Sequence, residues 1–229
     1  MSRTLVHTNA DDAVAEVLDG STVLIGGFGM AGMPVVLIDA LIRQGASDLT
    51  VVSNNAGNGD TGLAALLAAG RVRKVICSFP RQGDSWVFDD LYRRSQIELE
   101  IVPQGNLAER MRAAGAGIGA FFCPTAVGTP LAEGKEIRNI DGRDFVLEMP
   151  IHGDVALIGA HRSDRMGNLV YRKTARNFGP VMATAASTTI AQVAEVVEVG
   201  SLDPEAIVTP SIYVDHVLDL SAIGKGASQ

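Results

Sequence analysis

Asp19-Gly-Ser-Thr-Val-Leu-Ile-Gly-Gly-Phe-Gly-Met-Ala-Gly-Met-Pro34 is the stretch of this sequence that decides the fold. Its aliphatic run at 23–25 predicts a buried strand, and Pro34 predicts the start of a helix, because proline is tolerated in the first helical turn. Glycine permits positive φ and close approach of a backbone or a ligand. The stretch therefore predicts a strand, a ligand-binding turn and a helix. We call the residues of that turn the glycine loop: Gly26, Gly27, Phe28, Gly29 and Gly32.

The segment Gly27-Phe-Gly-Met-Ala-Gly32 also fits the dinucleotide fingerprint G-x-G-x-x-G, in which a helix N-terminus binds phosphate. That fingerprint requires an acidic residue about 20 positions further on, after the second strand. The second predicted strand, 49–53, runs instead into Asn54 and Asn55, and the nearest acidic residue, Asp48, precedes the strand. A nicotinamide-dependent oxidoreductase is therefore an alternative that lacks its key residue.

Length and composition restrict the class of protein. The 229 residues are 47% hydrophobic and carry a net charge of −7, which predicts a single domain over 1–229 and argues against a nucleic-acid surface. We find no 18-residue apolar stretch and no signal peptide, so we expect a cytoplasmic protein that does not enter the membrane. The two cysteines and four histidines lack the spacing of metal ligands, so no metal is expected.

Short apolar runs alternate with helical stretches of about ten residues through the first half of the chain. This alternation predicts an α/β fold with a mostly parallel open sheet flanked by helices on both faces. In the C-terminal half, Asp141-Gly142 between two β-rich segments predicts an added β-hairpin at about 132–150. The valine-rich segment 188–199 is interpreted as a strand, and 10–18 as a helix with Asn9 as its N-cap.

Four predicted strands are followed by turns that contain polar or glycine residues. These turns are the glycine loop, 54–57, 79–83 and the turn at Gln104. Ligands bind outside the carboxyl ends of parallel strands, so the four turns are expected to converge on one binding edge. From the residues alone, the favoured interpretation is that the amides of Asn54, Asn55 and Gln104 bond the backbone of their own turns, with ligand binding as the alternative.

The stretch 19–34 resembles the signature of the A (alpha) subunit of family I CoA-transferases: Asp-Gly, two residues, three aliphatics, Gly-Gly-Phe, three residues, Gly, one residue, Pro. The likeness extends over nearly the full length, for example at Pro103-Gln-Gly105. Cys77-Ser-Phe-Pro-Arg-Gln82 and Asn177-Phe-Gly-Pro180 are similar to members that act on 3-oxoadipate, with acetoacetate-type members as the alternative. One departure is Pro124-Thr-Ala-Val-Gly-Thr129, where the family usually has Pro-Thr-Gly-Tyr-Gly-Thr.

The resemblance implies ping-pong transfer of CoA from succinyl-CoA to a 3-oxoacid, through a CoA thioester on a glutamate of the partner, the B (beta) subunit. It implies no catalytic residue on this chain, no cofactor apart from the CoA thioester that serves as substrate, and an A2B2 assembly. In the family, the residues matching Asn54, Asn55 and Gln104 line the substrate pocket opposite that glutamate. A non-catalytic module that binds acyl-CoA without a partner is the non-enzyme alternative.

Two further expectations concern basic residues. Arg81 follows the third main strand, and a bidentate arginine suits the second carboxylate that distinguishes 3-oxoadipate from acetoacetate. An exposed arginine that binds no ligand is the alternative. For Arg172, Lys173 and Arg176, contact with CoA phosphates is one alternative. Structural ion pairs are expected instead, because the family's CoA contacts lie mainly on the partner.

Overall fold

The computed structural model describes residues 4–223, in which a mixed sheet lies between two layers of helices. The strands of this sheet are β1 Leu5–His7, β2 Thr22–Ile25, β3 Leu49–Val52, β4 Val72–Cys77, β5 Glu98–Ile101, β9 Gly153–Asp164, β10 Leu169–Val170, β11 Ala186–Val197 and β12 His216–Asp219. Their order within the described range is β1-β12-β11-β9-β2-β3-β4-β5, with β10 paired to β9. Every pairing is parallel except that of β10 with β9. The predicted fold class is confirmed.

Helices cover both faces of this sheet. They are α1 Ala10–Ala13, α2 Val35–Gln44, α3 Leu63–Ala68, α4 Trp86–Arg93, α5 Gln104–Gly115 and α6 Gly179–Ala185. Along β2, Val23 and Ile25 belong to one buried cluster and Leu24 to the other, because successive side chains of a strand point to opposite faces. The first cluster includes side chains of α1 to α4, and the second includes side chains of α5 and α6. Both faces are therefore buried, which explains the unbroken aliphatic runs.

The strand order changes direction between β2 and β9. From β2 the chain adds β3, β4 and β5 in sequence on one side, whereas β9, β11 and β12 continue on the other. Such a point leaves a crevice at the carboxyl ends of the strands. The glycine loop follows β2 and therefore begins in this crevice, where Gly26 N–H donates to the carbonyl oxygen of Leu157 on β9 at 2.9 Å.

A separate antiparallel sheet contains β6 Phe121–Cys123, β7 Ile137–Ile140 and β8 Arg143–Glu148, in the order β6-β8-β7. The predicted hairpin is confirmed as β7 and β8. Its turn residues Asp141 and Gly142 have φ of 51° and 81°, as a type I′ turn requires. The buried carboxylate of Glu148 accepts hydrogen bonds from Lys135 at 2.9 Å and from Asn106 of α5 at 3.1 Å, which fastens the small sheet to the helix layer of the main sheet.

Several local predictions differ from the structure. The helix predicted over 10–18 ends at Ala13, and Gln44 Nε2 donates to the carbonyl oxygen of Val17, which no longer needs a helical partner. Gln104 is the first residue of α5, not a turn residue. The short strands β1 and β12 and the helix α6 were not predicted, because so few residues do not establish a hydrophobic period. Within residues 4–223 no helix is long and apolar enough to cross a bilayer.

Candidate functional site

The glycine loop is shaped by contacts with the protein's own backbone. Gly27, Gly29 and Gly32 have φ of 135°, 59° and 74°, which side chains rarely adopt. A Cβ added to Gly32 would collide with the carbonyl oxygen of Ala175, whereas one added to Gly29 would meet no atom within 4 Å. The glycine at position 32 is therefore needed because another segment of the chain passes close to it.

That segment is the turn 172–177, which Asn177 fastens to the glycine loop. The Asn177 side chain accepts from Gly27 N–H at 3.1 Å and donates to the carbonyl oxygen of Ala31 at 2.8 Å. It also donates to the Thr174 carbonyl oxygen at 3.1 Å within its own turn. These bonds satisfy loop groups that would otherwise be unpaired. The two segments therefore form one rigid unit.

Backbone N–H groups at the start of α2 already have a hydrogen-bond acceptor within the protein. Gln192 on β11 accepts through Oε1 from the backbone N–H groups of Val36 and Leu37, at 3.0 and 3.3 Å. A dinucleotide phosphate would need these donors together with those of the glycine loop. Gln192 already accepts from the donors at the start of α2, and Asn177 accepts from Gly27 N–H in the loop. The G-x-G-x-x-G match therefore serves packing at these positions, and the nicotinamide alternative loses donors of its phosphate site as well as its acidic residue.

Neutral amides converge at the carboxyl edge beside the glycine loop. Asn54 is 1% exposed, and its Oδ1 accepts from Gln104 Nε2 at 2.6 Å and from Ser78 Oγ at 2.9 Å. Two donors on Oδ1 orient the amide so that Nδ2 is left to donate elsewhere. The three side chains adjoin a cavity of about 390 Å³, which we call the amide cavity. Its lining residues are Phe28, Asn54, Ser78, Phe79, Gln82 and Gln104.

The second asparagine has a different environment. Asn55 is 2% exposed, and its Oδ1 accepts from the backbone N–H of Gly57 at 2.9 Å. Asn55 therefore bonds the backbone of its own turn, which is the alternative to ligand binding that the sequence had offered. The same turn is tied to the loop before α4, because Ser85 Oγ donates to the carbonyl oxygen of Gly57 at 3.0 Å. Asn58 Nδ2 also donates to Gln82 Oε1.

Arg81 lies beside the amide cavity but is not among its lining residues. Its Nε donates to Asp89 Oδ1 at 2.6 Å, and its side chain is 58% exposed. Asp89 lies in the first turn of α4 and is also 3.9 Å from Arg93 Nη2. The structure therefore brings Asn54 and Gln104 together, while Asn55 bonds its own turn and Arg81 points to an exposed ion pair.

The three cations of the turn 172–177 do not form the predicted ion pairs. Among the residues that the structure describes, Arg172, Lys173 and Arg176 have no carboxylate within 4.0 Å, and all three are exposed. That expectation was wrong, because the turn lies over the glycine loop, which contains no acidic residue. Beneath the turn, burial raises the pKa of Tyr171 to about 12, and its hydroxyl lies 2.8 Å from Thr209 Oγ1.

Metal-binding residues do not gather in the described part of the chain. Between residues 4 and 223 no three His, Cys, Asp or Glu side chains are placed to hold a metal ion. Two of the four histidines lie side by side, with His7 Nε2 2.9 Å from His216 Nδ1 on the neighbouring strands β1 and β12. Burial, and then the proximity of His216, lower the pKa of His7, which Asp12 partly opposes.

Some residues of the site were not identified from the sequence. Ser78 directly follows β4, one residue before the turn 79–83 that the sequence placed at the binding edge, so the same strand-end rule that selected Asn54 was a sufficient signal for it. Asn177 and Gln192 lie 150 and 156 residues from the groups that they bond. No local pattern in the sequence indicates such contacts.

An α/β fold with a cavity of amide, hydroxyl and aromatic side chains at the carboxyl edge of its parallel strands defines the class as an α/β ligand-binding protein. Comparison with known proteins then identifies the family. The family model described as Coenzyme A transferase matches residues 7–220. The chain belongs to the coenzyme A transferase family.

Two relatives are similar over most of their length. The chain is 69% identical over 209 residues to the A subunit of 3-oxoadipate CoA-transferase from Pseudomonas putida, covering 91% of this chain and 90% of the relative. It is 62% identical over 217 residues to the protein of the same name from Acinetobacter baylyi, covering 95% of each. The names of these relatives describe one subunit of an enzyme, which implies a partner chain.

A solved structure shows the same fold. An acyl-CoA transferase from Escherichia coli O157:H7 superposes with a TM-score of 0.83 at 24% identity. The match covers 95% of this chain but 47% of that chain, so this protein spans about half the length of that structure.

Proposed function

We propose that this chain is the A subunit of a 3-oxoadipate CoA-transferase that moves CoA from succinyl-CoA to 3-oxoadipate. The observation that carries the proposal is the amide cavity, which offers neutral donors and has no carboxylate among its lining residues. Similarity to two relatives that bear the name of this same subunit supports the choice of acceptor.

The chemistry requires a nucleophile that this cavity does not contain. In the proposed first half-reaction, a glutamate carboxylate of the partner B subunit attacks the thioester carbonyl of succinyl-CoA. The C–S bond breaks, which releases CoA thiolate and forms a mixed anhydride of succinate with the glutamate. The thiolate then attacks the glutamyl carbonyl, which releases succinate and forms the enzyme thioester. The second half-reaction repeats these steps in reverse with 3-oxoadipate, so the atoms balance without any cofactor.

The amides of this chain suit the developing oxyanion. A preorganised donor stabilises that charge in the transition state by about 3 to 4 kcal/mol. Asn54 is held by Ser78 and Gln104, so its Nδ2 is preorganised without carrying a charge that would neutralise the attacking carboxylate. We assign Asn54 and Gln104 to oxyanion and acyl binding, and Asn55 to shaping the turn that presents Asn54.

A partner surface is expected around the cavity. Phe28, Met30, Phe79 and Trp86 lie at this edge and are each more than half exposed. Large apolar side chains clustered in this way are typical of a surface that another chain covers. We propose that the B subunit covers it in an A2B2 assembly and thereby brings its glutamate to the amide cavity.

The test is CoA transfer from succinyl-CoA to 3-oxoadipate, measured as acyl-CoA product. The samples are this chain alone, the candidate B subunit alone, and the two co-expressed and purified, with the mass of the assembly measured by light scattering. Activity only in the co-purified assembly is expected. Activity of this chain alone would overturn the divided site, and transfer to acetoacetate but not to 3-oxoadipate would overturn the acceptor.

We further propose that Arg81 binds the second carboxylate of 3-oxoadipate. Arg81 is adjacent to Gln82, which lines the amide cavity, and only its Nε is engaged by Asp89. Replacing Arg81 by Ala should therefore raise KM for 3-oxoadipate much more than KM for acetoacetate. Arg93→Ala, which removes the other arginine near Asp89, is the matched control. Equal effects on both acceptors would refute this role.

A further inference from the structure

A large cavity beside the glycine loop is lined by the cationic turn. It has a volume of about 650 Å³, and no carboxylate lines it. We call it the cation cavity. Its lining residues are Phe28, Ala31, Lys173, Thr174, Arg176 and Asn177. Two exposed cations and a threonine hydroxyl therefore face one space in a protein whose net charge is −7.

The cations are held in place by the backbone of their turn. Asn177 bonds the turn to the glycine loop, and Ala175 packs against Gly32. Lys173 has a φ of 52°, a left-handed conformation that is uncommon for a residue with a Cβ. A strained backbone that is kept by the surrounding structure is a frequent property of binding sites. The turn therefore presents Lys173 and Arg176 without needing to reorganise.

The cation cavity adjoins the amide cavity. Phe28 lines both cavities, and its side chain is 52% exposed. A ligand extending across Phe28 would place one end among neutral amides and the other among cations. The ligand class that matches this arrangement has an acyl thioester at one end, an uncharged arm and a phosphorylated nucleotide at the other.

We propose that the turn 172–177 binds phosphate groups of the CoA thioester, with Arg176 as a bidentate donor, Lys173 as a point charge and Phe28 packing against the uncharged arm. This inference rests on the proposed function and assigns this chain a share of CoA recognition. Arginine and lysine are the usual ligands of phosphate oxygens, and no carboxylate lines the cation cavity beside them.

The test compares three thioester donors in the purified assembly: succinyl-CoA, succinyl-dephospho-CoA and succinyl-pantetheine. The variants are Arg176→Gln, Lys173→Asn and the double variant. Asparagine tolerates the left-handed conformation at position 173, so this substitution removes the charge without added strain. Arg176→Lys, which retains the charge, tests for partial rescue. Arg112→Gln is the matched control, because Arg112 is an exposed arginine in the last turn of α5.

We expect kcat/KM with succinyl-CoA to fall about tenfold or more in the double variant, since losing an ionic hydrogen bond costs about one power of ten in binding. The value with succinyl-pantetheine should not change. If kcat/KM with succinyl-dephospho-CoA falls as well, the cations bind the diphosphate. If kcat/KM with succinyl-dephospho-CoA does not change, they bind the 3′-phosphate. Both results support the proposal.

Three results separate failure of this inference from failure of the proposed function. Equal losses with all three thioesters, together with weaker assembly, would mean that the cations contact the partner chain, and the inference would be wrong. An unchanged kcat/KM with succinyl-CoA in the double variant would also overturn it. A wild-type assembly that transfers CoA to no 3-oxoacid would instead refute the proposed function.

Discussion

Substituting two glycines of the same loop separates backbone strain from close packing. Gly29 and Gly32 both have positive φ, 59° and 74°. Alanine in the left-handed region costs about 1 to 2 kcal/mol, partly offset by the reduced freedom of the unfolded chain. Gly29→Ala meets no atom within 4 Å, so its net cost should be about 1 kcal/mol.

Gly32→Ala adds a collision to the same strain. The new Cβ would overlap the Ala175 carbonyl oxygen and lie 2.9 Å from Asn177 Nδ2, so the turn 172–177 must move away from the glycine loop. Displacing packed atoms costs about 1 to 3 kcal/mol, and each lost bond of Asn177 costs about 1 kcal/mol. The total for Gly32→Ala is therefore about 3 to 5 kcal/mol.

The assay is thermal unfolding of both variants in the same purified assembly with the B subunit. One kcal/mol lowers the midpoint by about 2 to 4 °C for a chain of this size. We expect a loss of about 3 °C for Gly29→Ala and of at least about 6 °C for Gly32→Ala. Equal losses would refute the argument that Ala175 is what requires glycine at position 32. A selective loss of activity in Gly29→Ala would show that a ligand approaches position 29.

Two further predictions concern charged groups away from the site. Glu148→Gln should destabilise the chain by about 2 kcal/mol, because a carboxylate that is 1% exposed loses its charge opposite Lys135. The exposed Glu133→Gln is the control, and equal thermal midpoints would contradict the prediction. The lowered pKa of His7 means that the folded chain binds fewer protons than the unfolded chain, so its contribution to stability is complete above the ordinary value of 6.5 and is lost as pH falls below it. His7→Gln should therefore lose less thermal stability than the wild type between about pH 7.5 and about pH 5.5, and an identical pH dependence would contradict the role of His7.

Much of the fold could be predicted because its signals are local. Val23, Leu24 and Ile25 form a strand buried on both faces, Gly45 ends α2 with a φ of 99°, and Asp141-Gly142 forms the hairpin turn. Each of these depends on side-chain size or on the φ that a residue tolerates. Both are properties of the residue itself and do not depend on the rest of the fold. The rule that ligands bind at the carboxyl edge then correctly placed Asn54 beside Gln104.

The purpose of the glycine loop could not be determined from the sequence. Glycine permits close approach, but the residue alone does not say whether a ligand or another segment approaches. In the structure it is Ala175 and Asn177 of the turn 172–177 that approach the glycine loop. They do this because β9 pairs directly with β2 and the turn that follows β9 and β10 lies over the loop. The same strand order leaves Lys173 and Arg176 away from acidic residues, contrary to the expected ion pairs.

The sequence by itself therefore determined the buried central strands, the hairpin turn, the family signature and the residue types available for chemistry. The tertiary structure decided which of them meet: Gln192 at the start of α2, His7 with His216, and the cations beside Phe28. The physical reason is that conformational preferences act over a few residues. Contacts across 150 residues or more follow from the order in which strands pair, which no short stretch of the chain specifies.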